Sequence, residues 1–127
     1  MNKVILMGRL TKDPEMRVTQ NQTAVATFTL AVDRKFKDKD GQRQADFISC
    51  VAWRQTADFL SRYATKGSKI AVCGEIQTRN YDKDGKKIYV TEVVVDEVEF
   101  AEAKTESKNE PKQKVKESPV EEAPFDL

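Results

Sequence analysis

Two large aromatic rings, Phe47 and Trp53, occupy positions of one strand parity, six residues apart. The opposite parity, from Ile48 to Ala52, carries compact apolar side chains that suit a core. Because successive side chains of a strand point to opposite faces, both rings would face outward, about 20 Å apart along the strand. Exposed rings need a reason. Stacking on planar ligands would explain why the two rings are exposed. The alternative is that the rings lie in the core or in an oligomer interface.

Cations accompany the rings: Phe36 lies between two lysines, and Tyr81 shares its parity with Arg79. Nucleic-acid bases stack on aromatic side chains at ~1–3 kcal/mol each, while Lys and Arg hold phosphates without reading base sequence. The residues expected to stack are Phe36, Phe47, Trp53 and Tyr81. Those expected to contact phosphate are Arg34, Lys35, Lys37, Arg54, Lys66, Lys69 and Arg79. Three other rings are assigned to the core: Phe28, Phe59 and Phe100.

The sequence lacks the groups that most enzymes use. It has no histidine, so the usual general base and the commonest metal ligand are missing. Cys50 and Cys73 have no histidine to activate them, and both suit small core positions. Two carboxylate pairs lie beside Lys and Gly in predicted turns, where Asp is favoured by turn geometry. We therefore expect no catalytic residue, no metal and no cofactor, and a binding protein rather than an enzyme.

Alternating apolar residues predict the strands that must position the rings. These strands cover residues 2–10, 24–36, 47–54, 70–81 and 86–100, and a further short strand fits 16–20. A helix is predicted from the apolar face of Thr56, Leu60, Tyr63 and Ala64, with Gly67 as its stop. Polar segments at 37–44 and 82–85 predict hairpin turns. A change of apolar phase near Val93–Val95 predicts a bulge or a doubly buried stretch.

The order of these elements is three strands, one helix and two strands. This order matches a five-stranded Greek-key barrel of the OB type, whose helix lies between the third and fourth strands. The predicted fold class is therefore all-β with one helix, followed by a disordered C-terminal tail.

The tail begins where the composition changes, near Ala103. Residues 104–127 are rich in Lys, Glu, Ser and Pro, and cannot bury enough apolar surface to offset their conformational entropy. We expect three parts: a domain over 1–103, a disordered basic linker over 104–116 and an acidic tip over 117–127.

Net charge by itself points to no partner. The whole chain carries +1, and residues 1–103 carry +2 from 17 basic and 15 acidic residues, so any field that attracts phosphate must be local. No apolar run approaches the ~20 residues of a membrane span, and the N-terminus lacks a secretory signal. We expect a soluble, cytoplasmic protein without a membrane partner.

Five separated blocks resemble bacterial single-stranded DNA-binding proteins in order and spacing. They are residues 2–15, beginning Asn2-Lys3-Val4-Ile5-Leu6-Met7-Gly8-Arg9-Leu10, then 24–31, 66–68, 77–81 and 89–93. The resemblance covers residues 1–103 and implies an OB-fold homotetramer that binds single-stranded DNA without sequence preference. It also implies roles in replication, recombination and repair, at the nucleoid or the replication fork. The family's stacking aromatics match the four rings chosen above from parity and charge.

The C-terminal tip resembles the family's acidic tip, which ends in Pro-Phe and docks onto replication and repair proteins. The residues that would bind partners are Glu121, Glu122, Ala123, Pro124, Phe125, Asp126 and Leu127. Two departures are visible: Asp126-Leu127 follow the phenylalanine, and a short Lys/Glu segment replaces the usual Gly/Gln-rich linker.

Two other functions remain open. One is an OB-fold adaptor that mainly binds proteins, as in a primosome, and the other is an RNA-binding OB domain. The near-neutral charge balance fits DNA binding less well than a strong excess of Lys and Arg would.

Overall fold

Six strands and one helix follow one another in the computed structural model, which describes residues 1–102. They are β1 (Val4–Leu10), β2 (Glu15–Val18), β3 (Ala24–Lys37), β4 (Arg43–Trp53), α1 (Arg54–Tyr63), β5 (Lys69–Lys83) and β6 (Lys86–Phe100). The predicted order is confirmed, with β2 as the additional short strand. The predicted linker over 104–116 and tip over 117–127 lie outside the described residues.

Five of the strands close into a barrel in the order β1-β5-β6-β4-β3, and β3 returns to β1. The predicted OB-type barrel is therefore confirmed. Two of the strand pairings that close the barrel contain few residue pairs, and we call these pairings its narrow joins. The parallel join of β4 to β6 spans Cys50–Ala52 against Val93–Val95, and the β1–β3 join pairs Arg9 and Leu10 with Ala31 and Leu30. The short β2 adds to the outside of this ring by pairing with the start of β3.

The core lies inside the barrel and under α1. Alternate residues of β3, such as Phe28 and Leu30, are buried there, and α1 contributes Ala57 and Leu60. Cys50 is buried as expected, and this burial raises the pKa of its thiol to about 12. Cys73 differs from the expectation: it is only half-buried because it has the outward parity of β5, opposite exposed Ile5.

The helix differs in detail from the sequence prediction. It begins at Arg54, which was expected to end β4, and it ends at Tyr63, four residues before Gly67. Tyr63 was placed on the apolar face but is exposed, whereas Ala57 is buried. Phe59 and Phe100 were assigned to the core together with Phe28. They are only half-buried, and their ring centroids lie 5.8 Å apart.

A bulge interrupts the β5–β6 pairing. Cys73 pairs with Glu97 and Gly74 with Val95, so Asp96 is the extra residue, one position past the stretch where the apolar phase predicted it. Gly74 faces this bulge, and a side chain there would collide with the carbonyl group of Val94. The bulge therefore explains why buried positions on β6 change from odd to even numbers.

Two hairpins extend the barrel. Beyond Gly74, β5 loses its β1 partner, and residues 77–92 pair only with each other; we call this ribbon the β5–β6 arm. Its turn is Asp84-Gly85, with φ of 53° and 77° at the two residues, as a two-residue hairpin requires. Ile76 has the strand parity of the buried residues Ile70 and Val72, but it is exposed because it lies where this ribbon leaves the barrel.

The second hairpin, residues 33–46, is the β3–β4 arm. Its turn is held by Asp38, whose carboxylate accepts the backbone N–H groups of Asp40 and Gln42 at 2.9 Å each. The hydrogen bond from Gln42 is the main cause of the lowered pKa of Asp38, and one from Gln44 adds to it. These bonds confirm the expectation that this aspartate serves turn geometry.

The end of the described chain is tied back to the barrel. Arg9 donates two hydrogen bonds to the Glu102 carboxylate, at 2.7 and 3.1 Å, and one to the carbonyl oxygen of Gly67 at 2.9 Å.

Within residues 1–102 no helix is long and apolar enough to cross a membrane. No group of three or more His, Cys, Asp or Glu side chains in that part of the chain is arranged to hold a metal ion.

Candidate nucleic-acid interface

The outer row of β4 carries the two rings that the alternation singled out. Phe47 is 70% exposed and Trp53 43% exposed, and both point away from the core that contains Cys50 and Ala52. The predicted outward orientation is therefore confirmed. Val51 lies between them on the same row and is buried, so the row has an apolar floor near Trp53.

This outer face continues from β4 across β6 to β5. Ala52, Val95 and Gly74 are neighbours on the core side, so the adjacent residues Val51, Val94 and Glu75 share the outer face. Alternate residues of β5 then bring Gln77, Arg79 and Tyr81 to that same face. The pairing register thus places three of the four predicted stacking residues, Phe47, Trp53 and Tyr81, on one face of the sheet.

Tyr81 is the ring on the β5–β6 arm. It is 44% exposed, and the guanidinium carbon of Arg79 lies 5.9 Å from its ring centroid. The Nε atom of Arg79 also donates a hydrogen bond to Glu92, at 3.0 Å. One side of this arm therefore combines a partly exposed ring with a positioned cation, as the shared parity of residues 79 and 81 predicted.

Phe36 lies on the β3–β4 arm and, at 82%, is the most exposed of the four rings. Strand parity does not give its face, because the pairing of β3 with β4 shifts between Asp33 and Lys37. The structure therefore shows that Phe36 is available to a ligand, without placing it on the row of Phe47.

The cations on this arm differ in their partners. Arg34 donates to both carboxylate oxygens of Asp46, at 2.8 to 3.1 Å. This hydrogen bond is the main cause of the lowered pKa of Asp46 and of the raised pKa of Arg34. Lys35 and Lys37 are exposed and form no ion pair with any residue of the described segment.

Arg54 adjoins the Trp53 ring at the end of β4. It is exposed and has a φ of 56°, in the left-handed region that residues other than glycine rarely adopt. This backbone conformation turns the chain from β4 into α1 immediately after Trp53. Arg54, a predicted phosphate contact, therefore lies beside Trp53, a predicted stacking ring.

Two of the predicted cations lie elsewhere. Lys69 pairs with Arg9 at the opposite end of β5 from Tyr81, about 40 Å away along the strand. Lys66 lies in the loop before β5, where its backbone N–H donates to Asp13 at 2.7 Å. The structure does not bring these two lysines together with the Tyr81 end of the face.

The sequence analysis missed two residues near the candidate interface. Arg43 begins β4 on the parity of Phe47, and it donates to the carbonyl oxygen of Arg34 at 3.0 Å. The alternation from Phe47 extended backwards would have included it. Tyr89 is a largely exposed ring on the β5–β6 arm, but its parity is that of Val93, so it lies on the other face from Tyr81.

A separate exposed apolar row lies on β1. Ile5 and Met7 point outward, opposite Cys73 and Ala71 of β5, and both are more than half exposed. Both residues have the strand parity opposite to Leu6 and Leu10, which face the core. This row is distinct from the row of Phe47 and Trp53, since it lies on another strand of the barrel.

Comparison with known proteins shows which family the chain resembles over this domain. The model of the single-strand binding protein family matches residues 1–101. A single-stranded DNA-binding protein of Bacillus cereus is 57% identical over 103 residues, which cover 80% of this chain and 61% of the relative. Single-stranded DNA-binding protein 2 of Listeria monocytogenes is 55% identical over 105 residues, covering 82% of this chain and 66% of the relative. The chain thus spans about three fifths to two thirds of the length of these relatives.

Proposed function

Since the chain belongs to the single-strand binding protein family, we propose that its domain binds single-stranded DNA without reading base sequence. The observation that carries the proposal is the outer face shared by Phe47, Trp53 and Tyr81. A base can stack on an aromatic ring whatever its identity, because every base has a π-face. The edge-reading contacts that discriminate bases are not required for such a surface.

The proposed path of the DNA follows this face and the two arms. Bases stack on Phe36, Phe47, Trp53 and Tyr81, while Arg34, Lys35, Lys37, Arg54 and Arg79 lie near enough in sequence to contact the intervening phosphates. Lys66 and Lys69 would contact DNA only if it continued to the other end of β5. The small net charge of the domain fits this reading, because a row of local cations is sufficient for backbone contact.

We propose that the protein is a homotetramer. The outward apolar row of Ile5 and Met7 on β1 supports this, since such a row is expected at a subunit interface. Several subunits would present several copies of the stacking face to one DNA strand, which increases affinity without any new contact type.

We further propose that the acidic tip over 117–127 recruits replication, recombination and repair proteins in the cytoplasm. The tip clusters four carboxylates with Pro124, Phe125 and Leu127. A peptide of this kind suits a basic pocket with an apolar floor, in which the charges steer association and the ring anchors it. In this proposal the domain holds DNA, the tip binds partners, and neither part performs catalysis.

A titration of the full chain separates this function from its alternatives. Oligo(dT), oligo(rU) and a duplex of equal length would each be added at fixed salt while Trp53 fluorescence is measured. We expect saturable quenching with oligo(dT), weaker quenching with oligo(rU) and little with the duplex. A preference for oligo(rU) would favour an RNA-binding domain, and weak quenching by all three would favour a protein adaptor.

A further inference from the structure

Two of the arginines assigned to phosphate binding already hold carboxylates. Arg34 makes three hydrogen bonds to Asp46, and the Nε atom of Arg79 lies 3.0 Å from Glu92. Both arginine side chains are more than half exposed. Among residues 1–102, the lysines and Arg54 of the same proposed set form no ion pair.

The two pairs have the same position in their hairpins. Asp46 pairs directly with Val32, so Arg34 is its diagonal neighbour, two residues along β3. Glu92 pairs directly with Gln77, so Arg79 is its diagonal neighbour, two residues along β5. Diagonal neighbours on one face of an antiparallel pair are within reach of long side chains.

One of the two pairs lies on the face of the proposed stacking rings, since Arg79 lies over the ring of Tyr81. Asp46 immediately precedes Phe47 on β4, so the Arg34–Asp46 pair lies on the opposite face of the β3–β4 arm from that ring. A guanidinium group binds a carboxylate and a phosphate through the same planar set of N–H donors. A carboxylate on those donors therefore occupies the position that a DNA phosphate would take.

We propose that Asp46 and Glu92 are intramolecular competitors of DNA phosphates for Arg34 and Arg79. The inference rests on the proposed function. DNA binding displaces each carboxylate from its arginine, and the carboxylates hold the affinity of the protein below what its cations would otherwise give. Glu92 also keeps the Arg79 guanidinium group on the face of the Tyr81 ring when no DNA is bound.

The test uses isosteric neutralisation in the full chain. Asp46→Asn and Glu92→Gln should each tighten oligo(dT) binding about two- to fivefold, since an ion pair whose arginine is more than half exposed is weak. The slope of log K against log salt should steepen by up to about 0.7 for each phosphate newly contacted. Trp53 fluorescence reports the binding, because every variant keeps that ring.

Matched controls separate competition from a general change of charge. Asp33→Asn removes a carboxylate one residue from Arg34, and Asp82→Asn removes one beside Tyr81, and neither carboxylate forms an ion pair within the described residues. Each control should tighten binding less than Asp46→Asn or Glu92→Gln. In an Arg34→Gln background, Asp46→Asn should gain no more than Asp33→Asn does.

The outcomes are distinct. If Asp46→Asn and Glu92→Gln weaken binding, the carboxylates position the arginines for DNA, and the proposal that they compete with DNA phosphates is wrong. If they match their controls, the arginines do not exchange carboxylate for phosphate, and the proposal also fails. If the unmodified protein does not bind oligo(dT), the proposed function itself fails, which the first titration shows before any variant is made. Thermal unfolding of each variant verifies that it is folded.

Discussion

Trp53 lies directly opposite Val25 in the β3–β4 pairing, and Val25 is only 8% exposed although it is on the outer face of the barrel. Residues that pair directly across antiparallel strands have their side chains about 5 Å apart. The large ring therefore covers one side of Val25 while keeping 43% of its own surface exposed, and Arg17 of β2 pairs with Val25 on the other side. The Trp53 side chain thus serves both the packing of the outer face and the proposed contact with DNA.

This double role predicts different outcomes for two stacking rings. Phe47→Ala should weaken oligo(dT) binding by ~1–3 kcal/mol with little change in stability, because the ring is 70% exposed. Trp53→Ala should weaken binding by a similar amount and also lower the free energy of unfolding, since Val25 loses its cover on that side. Anisotropy of labelled oligo(dT) and urea unfolding measure the two effects. If Phe47→Ala unfolds the protein, the ring is structural and the assignment is wrong.

Arg54 predicts a separation of stability from binding. Arg54→Gly should leave the free energy of unfolding unchanged or raise it by up to about 1 kcal/mol, because glycine adopts a φ of 56° without strain. DNA binding should weaken, and its salt slope should fall by about 0.7, through loss of one phosphate contact. Gln22→Gly is the control: Gln22 has a φ of 61° and no charge, so only stability should respond. An unchanged salt slope in Arg54→Gly would show that Arg54 does not contact phosphate.

The buried thiol of Cys50 predicts a loss of stability at alkaline pH. Its pKa rises on folding from 9.0 to about 12, so above pH 9 the unfolded chain releases a proton that the folded chain retains. The stabilisation is complete well below pH 9 and is lost as pH rises towards 12, with a loss of about 1 kcal/mol at pH 10. Urea unfolding from pH 7 to 10 measures it. Cys50→Ala should lack this part of the pH dependence, and parallel curves for the two proteins would contradict the prediction.

The apolar row of β1 predicts an effect on assembly. Ile5→Asp and Met7→Asp should reduce the mass in sedimentation equilibrium, from about four times 14.4 kDa towards that of single chains or dimers. Val18→Asp is a matched control, since Val18 is also an exposed apolar residue but lies on β2. A chain mass of 14.4 kDa for the unmodified protein at micromolar concentration would rule out the tetramer.

The acidic tip predicts a salt-dependent change in DNA affinity. Deleting residues 117–127 should leave oligo(dT) affinity unchanged or slightly higher, because the tip carboxylates compete weakly with DNA for the basic face. The difference should fade as salt screens the charges. Titrations of both chains at low and high salt measure it. A strong loss of affinity would instead make the tip part of the DNA site, since the lysines over 104–116 remain in the deleted chain.

Much of this arrangement could be predicted because strand alternation records burial directly. Phe47 and Trp53 were placed outward from the compact residues between them, and the structure agrees. The position of Tyr81 on the same face could not be predicted, because it depends on the register of β4 with β6 and of β6 with β5, which local alternation does not specify. The face on which Phe36 lies could not be predicted for a related reason, since the shift of pairing between Asp33 and Lys37 breaks the alternation at that point.

The ion pairs could not be predicted either. Arg34 is twelve residues from Asp46, and Arg79 is thirteen from Glu92, so each pair depends on how a hairpin aligns its strands. The sequence showed the cations but not their partners. Ile76 has the parity of the buried Ile70 and Val72, but alternation alone does not show that the strand leaves the barrel at that residue.

The narrow joins of the barrel have a consequence for its opening motions. Strands β1, β5 and β6 form one antiparallel group, and β2, β3 and β4 form another. Only three residue pairs join β4 to β6, and two join β1 to β3. Backbone amides at these joins should therefore exchange with deuterium sooner than those in the middle of either group, since few hydrogen bonds must break to separate them. The two groups carry different proposed stacking rings, with Phe47 and Trp53 in one group and Tyr81 in the other, so any separation at these joins would divide the proposed DNA-binding face.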